Sequence, residues 1–271
     1  MPFPAIPGWD VSGVVEAVAP GATGFAVGDE VFGMVRFPSL GGESAAYAEY
    51  VAAPASHLAL KPAGIDHLQA AAAPMAGLTA WQYLIELGHD HPNPLQAQRH
   101  RPVPLAGRKV LVNGAAGGVG HLAVQLAKCK ARTSSRSRRA PTSRSCASSA
   151  LTMSSTTPGA RRRTRCASWT SSSTPSAATT GRFLRTLKRG GALFPVFIGF
   201  RDADQADERG VTVSMTQVRS NGVQLAAFGQ LLDAGTVRVA IDSTFALAQA
   251  REAHERAARG HIQGKIVLTV A

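Results

Sequence analysis

Along this chain the spacing of apolar positions changes character near residue 109. Val110, Leu111 and Val112 form an unbroken apolar run; Val119, Leu122, Ala123, Leu126 and Ala127 then recur at spacings of three and four. The run suits a strand buried on both faces, and the recurrence lays one apolar stripe along a helix. Between them stands GAAGGVG, so the stretch reads strand, glycine turn, helix, the start of a βαβ unit. Before it, VSGVVEAV, GDEVFGMV and AAYAEYVAAP are short β-type runs broken by Gly and Pro, which predict a compact, mostly β unit. DHLQAAAAPMAGLTAWQYLIELG predicts two helical stretches with a break near Pro74 and Gly77, and HDHPNPLQAQRHRPVPLAG a Pro-rich connector. After Gly181 the pattern predicts a helix ending at Gly190 and Gly191, strands in ALFPVF, VTVSMTQV, VRVAID and KIVLTV, and helices in QLAAFGQLLDAG and ALAQAREAHERAARG.

The strand that should follow the glycine-turn helix is absent from this pattern. In its place, Lys130 to Gly181 is rich in Arg, Ser and Thr and has no Asp or Glu. This segment changes the reading of the charge. The net charge of +12 would ordinarily suggest nucleic acid or an anionic surface, but nine arginines lie between Ala131 and Ala178, and the rest of the chain carries only +3. The 271 residues, 45% of them apolar, are enough for one large domain or two ordinary ones, and no run reaches the length of a membrane span. The first residues lack the basic and apolar regions of a secretory signal, so the expected location is cytoplasmic. Cys129, Cys146 and Cys166 form no CxxC pair, which argues against a structural zinc or a disulfide framework.

Gly114, Ala115, Ala116, Gly117, Gly118, Val119 and Gly120 form the strongest candidate site. A dinucleotide turn needs a residue without Cβ at the tight bend, another where backbone approaches the pyrophosphate, and a third where helix packs on strand. The helix N-terminus then offers unpaired N–H groups to the phosphates. No Gly-Lys-Ser/Thr follows, which disfavours a Walker-type loop. The alternative is a tight βα turn with no ligand.

PGWDVSGVVEAVAPGATGFAVGDEVFG, GGESAAYAEYVAAP, AAAAPMAGLTAWQYL, VLVNGAAGGVGHLAVQLAK, LRTLKRGGAL and HERAARGHIQGKIVL occur in an order that resembles the quinone oxidoreductase-like, zinc-independent branch of the medium-chain dehydrogenase/reductases. The resemblance implies an α/β fold: a mostly β GroES-like catalytic domain (1–82 and 245–271) around a Rossmann dinucleotide-binding domain (83–244); within the latter, the Arg/Ser/Thr-rich composition marks 131–180 as aberrant and disordered. It also implies NADP(H) as cofactor, a small-molecule substrate, a quinone or α,β-unsaturated carbonyl, and a homodimer, with no membrane or nucleic-acid partner unless the Arg-rich segment is genuine. Thr79 matches the position that the family places beside the nicotinamide; the alternative is a polar residue interrupting a helix. Zinc-dependent relatives have a His-Glu pair where this chain has Trp9 and Asp10, and no cysteine precedes Cys129, so no metal is expected. The chain also starts inside the family's first domain, and an incomplete start is expected. The resemblance points to no dedicated catalytic side chain, since the protein mainly orients the cofactor and substrate.

The odd segment reads as family sequence in a shifted frame over about 131–178. Joining the last base of each codon to the first two of the next turns Ser codons into Val, Leu, Ile or Phe, and Thr codons into Asp, Tyr, His or Asn. Trp169 has a single codon, so the shifted triplet overlapping Thr170 must encode Asp; after Met153 the triplet overlapping Ser154 encodes Val if that serine is TCN. With GC-rich synonymous choices elsewhere, ALTMSSTTP rereads as GADDVVDYT and CASWTSSSTPSA as VRELDVVLDTVG. The opening rereads as TYVVAVASGADVEVVREL, and the three strings supply in order the missing second strand, a helix, a third strand and the fourth strand of a Rossmann sheet. The end of the reread second strand lacks the acidic residue that would hold an adenosine ribose 2′-OH, which favours NADPH. The competing reading is a genuine Arg/Ser-rich tract binding RNA or anionic partners on a non-catalytic scaffold. Of single residues, Asp10 is expected to cap or turn the backbone, and Lys265 to sit at a strand edge. Arg219, Ser220 and Asn221 follow a strand and are expected in a plain loop, the alternative being an approach to the cofactor. His89, His91 and His100 are expected on the surface, and His254 and His261 on the surface or at the C-terminal end of the helix dipole.

Overall fold

The computed structural model describes residues 6–35, 46–85, 109–137, 166–170, 183–196, 203–213 and 217–270. They fall in two units, one of residues 1–81, 116–122 and 217–271, the other of 82–115 and 123–216.

In the first unit, β1 (Asp10–Val14), β2 (Glu30–Met34) and β3 (Leu58–Leu60) form an antiparallel sheet in that order. β2 is the buried centre, with Phe32 and Met34 fully covered. α1 (His67–Ala72) starts where the Asp66 carboxylate accepts from Gln69 N at 2.7 Å, an N-cap that satisfies one of the first-turn donors. α2 (Pro74–Leu84) follows at once, with Pro where the missing N–H is harmless. The expected break thus falls at Ala73, while Gly77 lies inside α2. AAYAEYVAAP forms no strand over its described residues 46–54, and the third strand comes from Leu58–Leu60, which the sequence pattern did not single out.

Asn221 caps α6 (Gly222–Asp233) by accepting from Gln224 N at 2.9 Å, so the loop expected at 219–221 ends in a helix cap. The buried face of α6 carries Leu225, Phe228 and Leu232, and Phe228 meets Trp81 edge-on with ring centres 6.5 Å apart. β8 (Ile241–Ala246) and β9 (Lys265–Thr269) pair in parallel, joined by α7 (Ala250–Ala258). The strand expected at VRVAID is therefore displaced to IDSTFA. Val237 and Val239 are buried as alternation demands, but the backbone of Ala240 is used elsewhere, as described below.

The second unit is built on a parallel sheet of β4 (Lys109–Asn113), β5 (Cys166–Thr170), β6 (Ala192–Pro195) and β7 (Thr212–Val213), in that order. This is the 1-4-5-6 side of a doubly wound sheet, with β4 as the strand beside the switch point. A helical segment α4 (183–186) and α5 (Ala203–Glu208) accompany it. Leu184, Leu187, Leu193, Ala206 and Val211 form its buried cluster, and Tyr83 Oη donates to Pro195 O at 2.9 Å.

α3 (Gly118–Ser137) follows the glycine turn and buries Leu122, Ala123, Leu126 and Ala127, four residues of the stripe expected from their spacing, while Val119, the first of that stripe, is half-buried in the opening turn. Two described pieces lie in the stretch expected to be disordered: the end of α3, and β5 from Cys166 to Thr170. β5 lies between β4 and β6, whose facing N–H and C=O groups each require a partner, and a backbone can supply those bonds whatever its side chains. The remainder of that stretch, Cys146 and the histidines of the Pro-rich connector lie outside the described residues. Among the described residues no helix is long and apolar enough to cross a membrane.

Candidate active site

Asp10 opens β1, and its two carboxylate oxygens have different partners. Oδ1 accepts from the backbone N–H of Met75 at 2.7 Å; Oδ2 pairs with Lys265 Nζ at 3.1 Å. The first turn of α2 needs an acceptor for its exposed donors, and the preceding residue, Ala73, has no side-chain oxygen. A carboxylate from β1 fills that role, favoured by the positive end of the helix dipole. The expectation that Asp10 caps is met by a bond to a residue 65 positions away. Four residues along α2, Thr79 is 4% exposed and its Oγ1 donates to Met75 O at 2.6 Å. Its proton is thus committed within the helix, while its oxygen can still accept.

The glycine turn bends at Gly114, where φ is +70°, a conformation glycine adopts without the cost of a Cβ. Gly264 N donates to Ala116 O at 2.8 Å, and Gly117 forms an isolated parallel bridge with Gly264. Gly118 has the aliphatic stem of Lys265 against it, 3.1 Å from where a Cβ would stand. Gly118, Val119 and Gly120 open α3, so their N–H groups have no acceptor within the helix.

His121 locks this corner. Its Nδ1 lies 3.0 Å from Gly117 O, and its Nε2 lies 3.1 Å from the donating N–H of Ala240. A carbonyl needs a donor and an N–H needs an acceptor, so the ring is neutral, with the proton on Nδ1. Ala240 O in turn accepts from Lys265 N at 3.0 Å. Burial, aided by the Lys265 charge, holds the His121 pKa below the usual 6.5, against the raising effect of the Gly117 and Gly118 backbone bonds. Protonation is then easier in the unfolded chain, which binds the extra proton as pH falls, so stability drops on acidification below about pH 6.5. The melting temperature should fall between pH 7 and pH 5, and H121N should flatten that slope. An unchanged slope in H121N would mean that the imidazole titrates normally.

Tyr47 stands near the same charges. Its ring lies against Gly8 and 5.9 Å from the ring of the exposed His254. Burial raises the phenol pKa; the Lys265 charge lowers it, and the Asp10 charge adds to the rise. The group is a neutral donor at physiological pH. The first unit therefore gathers Asp10, Tyr47, the Met75–Thr79 turn, the Gly117–His121 turn and Lys265. Lys265 is more than a strand-edge residue; no local pattern signals its pairing with Asp10, because the two are 255 positions apart.

A second polar chain ties the sheet to α1. Ser12 Oγ donates to Val31 O at 3.1 Å and lies 2.9 Å from His67 Nδ1, while His67 Nε2 lies 3.1 Å from Glu30 Oε1. Lys61 also pairs with Glu30 at 3.1 Å, and its hydrogen bond, followed by that of His67, holds the carboxyl below its ordinary range. This Ser-His-Glu series was not legible in the sequence. Its serine proton is directed to a backbone carbonyl, which makes it a structural tie. Among the described residues no group of three or more His, Cys, Asp or Glu could hold a metal ion.

Two family models match the chain: alcohol dehydrogenase GroES-like domain over residues 1–63 and zinc-binding dehydrogenase over 171–268. The chain belongs to the quinone oxidoreductase-like medium-chain dehydrogenase/reductases. Over 129 residues it is 38% identical to 2-methylene-furan-3-one reductase of Solanum lycopersicum, an alignment covering 47% of this chain and 29% of that protein. It is 39% identical over 127 residues to the quinone oxidoreductase of Homo sapiens, covering 46% and 32% respectively. These alignments thus span about a third of the curated relatives' length. The fold resembles that of the quinone oxidoreductase from Coxiella burnetii, with a TM-score of 0.71 at 24% identity, over 99% of this chain and 80% of that one. The architecture is the α/β one expected, a Rossmann-type domain with a GroES-like domain. The second family match begins at residue 171, inside the segment expected to be out of frame.

Proposed function

We propose that this protein is an NADPH-dependent, zinc-independent reductase that passes hydride to a quinone or an α,β-unsaturated carbonyl. The observation that carries this reading is the glycine turn that leaves the parallel strand β4 and opens α3, in a chain of this family. The turn fits a pyrophosphate: Gly114 takes the left-handed bend, and the N–H groups of Gly118, Val119 and Gly120 stand at a helix N-terminus. Gly114 to Gly120, with Ala115, Ala116, Gly117 and Val119 between, would hold the phosphates, and Thr79 would offer its oxygen near the nicotinamide. When bound, reduced nicotinamide supplies a hydride to an electron-poor carbon. The side chains of this fold would serve mainly to orient the cofactor and substrate. We assign 1–82 and 245–271 to the catalytic domain and 83–244 to the nucleotide domain, in a homodimer.

NADPH in preference to NADH rests on the reread strand end, VASGA. In the literal chain the Arg/Ser/Thr segment stands where the adenosine-binding strand belongs, and binding should be weak. Titration of nicotinamide fluorescence tests both parts. The chain with its frame restored over 131–178 should bind NADPH with a micromolar Kd and oxidise it with a quinone or enone. The chain as written should bind at least tenfold more weakly. A restored chain that leaves NADPH unoxidised with both acceptor classes would overturn the reading, and micromolar binding by the literal chain would overturn its impairment. The alternative, an Arg/Ser-rich tract that binds RNA, requires RNA affinity that is lost on deleting 131–180.

A further inference from the structure

We infer that Asp10 and Lys265 form a positioning clasp that fixes the glycine turn relative to helix α2. The inference starts from the division of labour on one carboxylate. Oδ1 caps α2 at Met75 and Oδ2 holds the Lys265 ammonium, at 2.7 and 3.1 Å. Lys265 reaches Asp10 with its stem laid over Gly118, and its own backbone belongs to the segment that bridges the turn through Gly264. Three stretches remote in sequence, β1, the start of α2 and the start of α3, thus share one charged pair.

The pair is well placed to act as a constraint. The side chains of Lys265 and Asp10 are 24% and 16% exposed, so the ion pair is shielded from most of the screening that makes surface pairs weak. Partial burial also makes it costly to leave either charge alone. The methylene stem fills the space over Gly118, and the ammonium end closes the link. Loss of the charge alone should therefore loosen the turn without emptying the space. The cap on α2 is separable as well: an asparagine at position 10 can still accept from Met75 N with its carbonyl oxygen but no longer offers a charge to Lys265.

The functional consequence rests on the reductase reading. Thr79, one turn beyond the capped Met75, lies at the nicotinamide end of that reading, and the glycine turn at the pyrophosphate end. A dinucleotide spanning both binds well only if their separation is held, and a clasp between them sets it before the ligand arrives. In this role Asp10 and Lys265 are positioning residues.

Hydrogen exchange read by mass spectrometry on the intact chain, without nucleotide, tests the clasp directly. K265M keeps most of the stem and loses the ammonium; D10N keeps the cap and loses the pairing charge. Each should speed exchange over residues 117–121 by about tenfold while β1–β2 peptides stay within twofold, and K265R should restore protection. The D10N/K265M double variant should match the singles, because both remove the same interaction. Unchanged exchange at 117–121 in both single variants, or equal acceleration throughout the unit, would overturn the clasp. In a frame-restored chain the same variants should raise the NADPH Kd about tenfold and leave kcat at saturation within twofold. If that parent binds no nucleotide, the reductase reading fails, and the exchange result still decides whether the clasp exists.

Discussion

Gly264→Ala should destabilise the protein by roughly 3 kcal/mol or more, one of the two largest losses expected from a single substitution here. Gly264 has φ +86°, in the left-handed region, and a methyl group there would overlap the carbonyl oxygen of Ala240 and crowd its carbon at 2.5 Å. Neither obstacle is a flexible side chain that could swing away. The overlap falls where Gly264 N reaches Ala116 and Lys265 N reaches Ala240, so relief by moving the backbone breaks the bonds that hold the glycine turn. Gly260 provides the control: its φ is +69° and a methyl group there meets nothing within 4 Å. Gly260→Ala should thus cost only about 1 kcal/mol, the conformational part alone. Thermal melts of the two variants separate the terms. A loss at Gly264 no larger than at Gly260 would mean that the segment yields and does not constrain the turn.

Phe228→Ala should cost about 3–5 kcal/mol. The ring is fully buried on the inner face of α6 and meets Trp81 edge-on with an interplanar angle of 82°. Truncation removes that contact and leaves a cavity whose walls, the backbones of two helices, cannot close fully. Phe228→Leu retains much of the volume and should lose only about 1.5 kcal/mol. Urea unfolding measures both, and equal losses would mean that the site collapses freely. Because α6 packs on α2, the helix that carries Thr79, F228A should also weaken NADPH binding in the frame-restored chain.

The positions of several elements were open to sequence reasoning for local reasons. The stripe from Leu122 to Ala127 is periodic, and periodicity reports which face is buried without knowledge of the partner; the unbroken run Val110 to Val112 marks a strand by its apolar residues alone, with Val110 and Val112 buried and Leu111 half-buried. Asp66 caps α1 within three residues of itself, so short-range chemistry settles that start, whereas Asn221, whose side chain does the same for α6, stood in a stretch expected as loop. VRVAID misled because alternation marks burial, and burial does not require a ladder: Val237 and Val239 are covered, while Ala240 gives its backbone bonds to His121 and Lys265. The missed strand Leu58–Leu60 is only three residues long, too short for a period to show.

What the sequence by itself determined is the family order of motifs, the glycine turn between β4 and α3, and the presence of a segment whose composition does not suit the place it occupies. These depend on residues close together in the chain. Only the tertiary structure could decide that Asp10 serves Met75 and Lys265 at once, that His121 is a neutral lock between Gly117 and Ala240, and that CASWT as written, and not only in the reread frame that assigns a fourth strand there, pairs between β4 and β6. The first two join side chains to groups brought near by folding, and an ion pair or a tautomer depends on what stands within about 3 Å, which spacing along a chain does not encode. The third depends on backbone groups that every residue carries alike, which a pattern of side chains does not report.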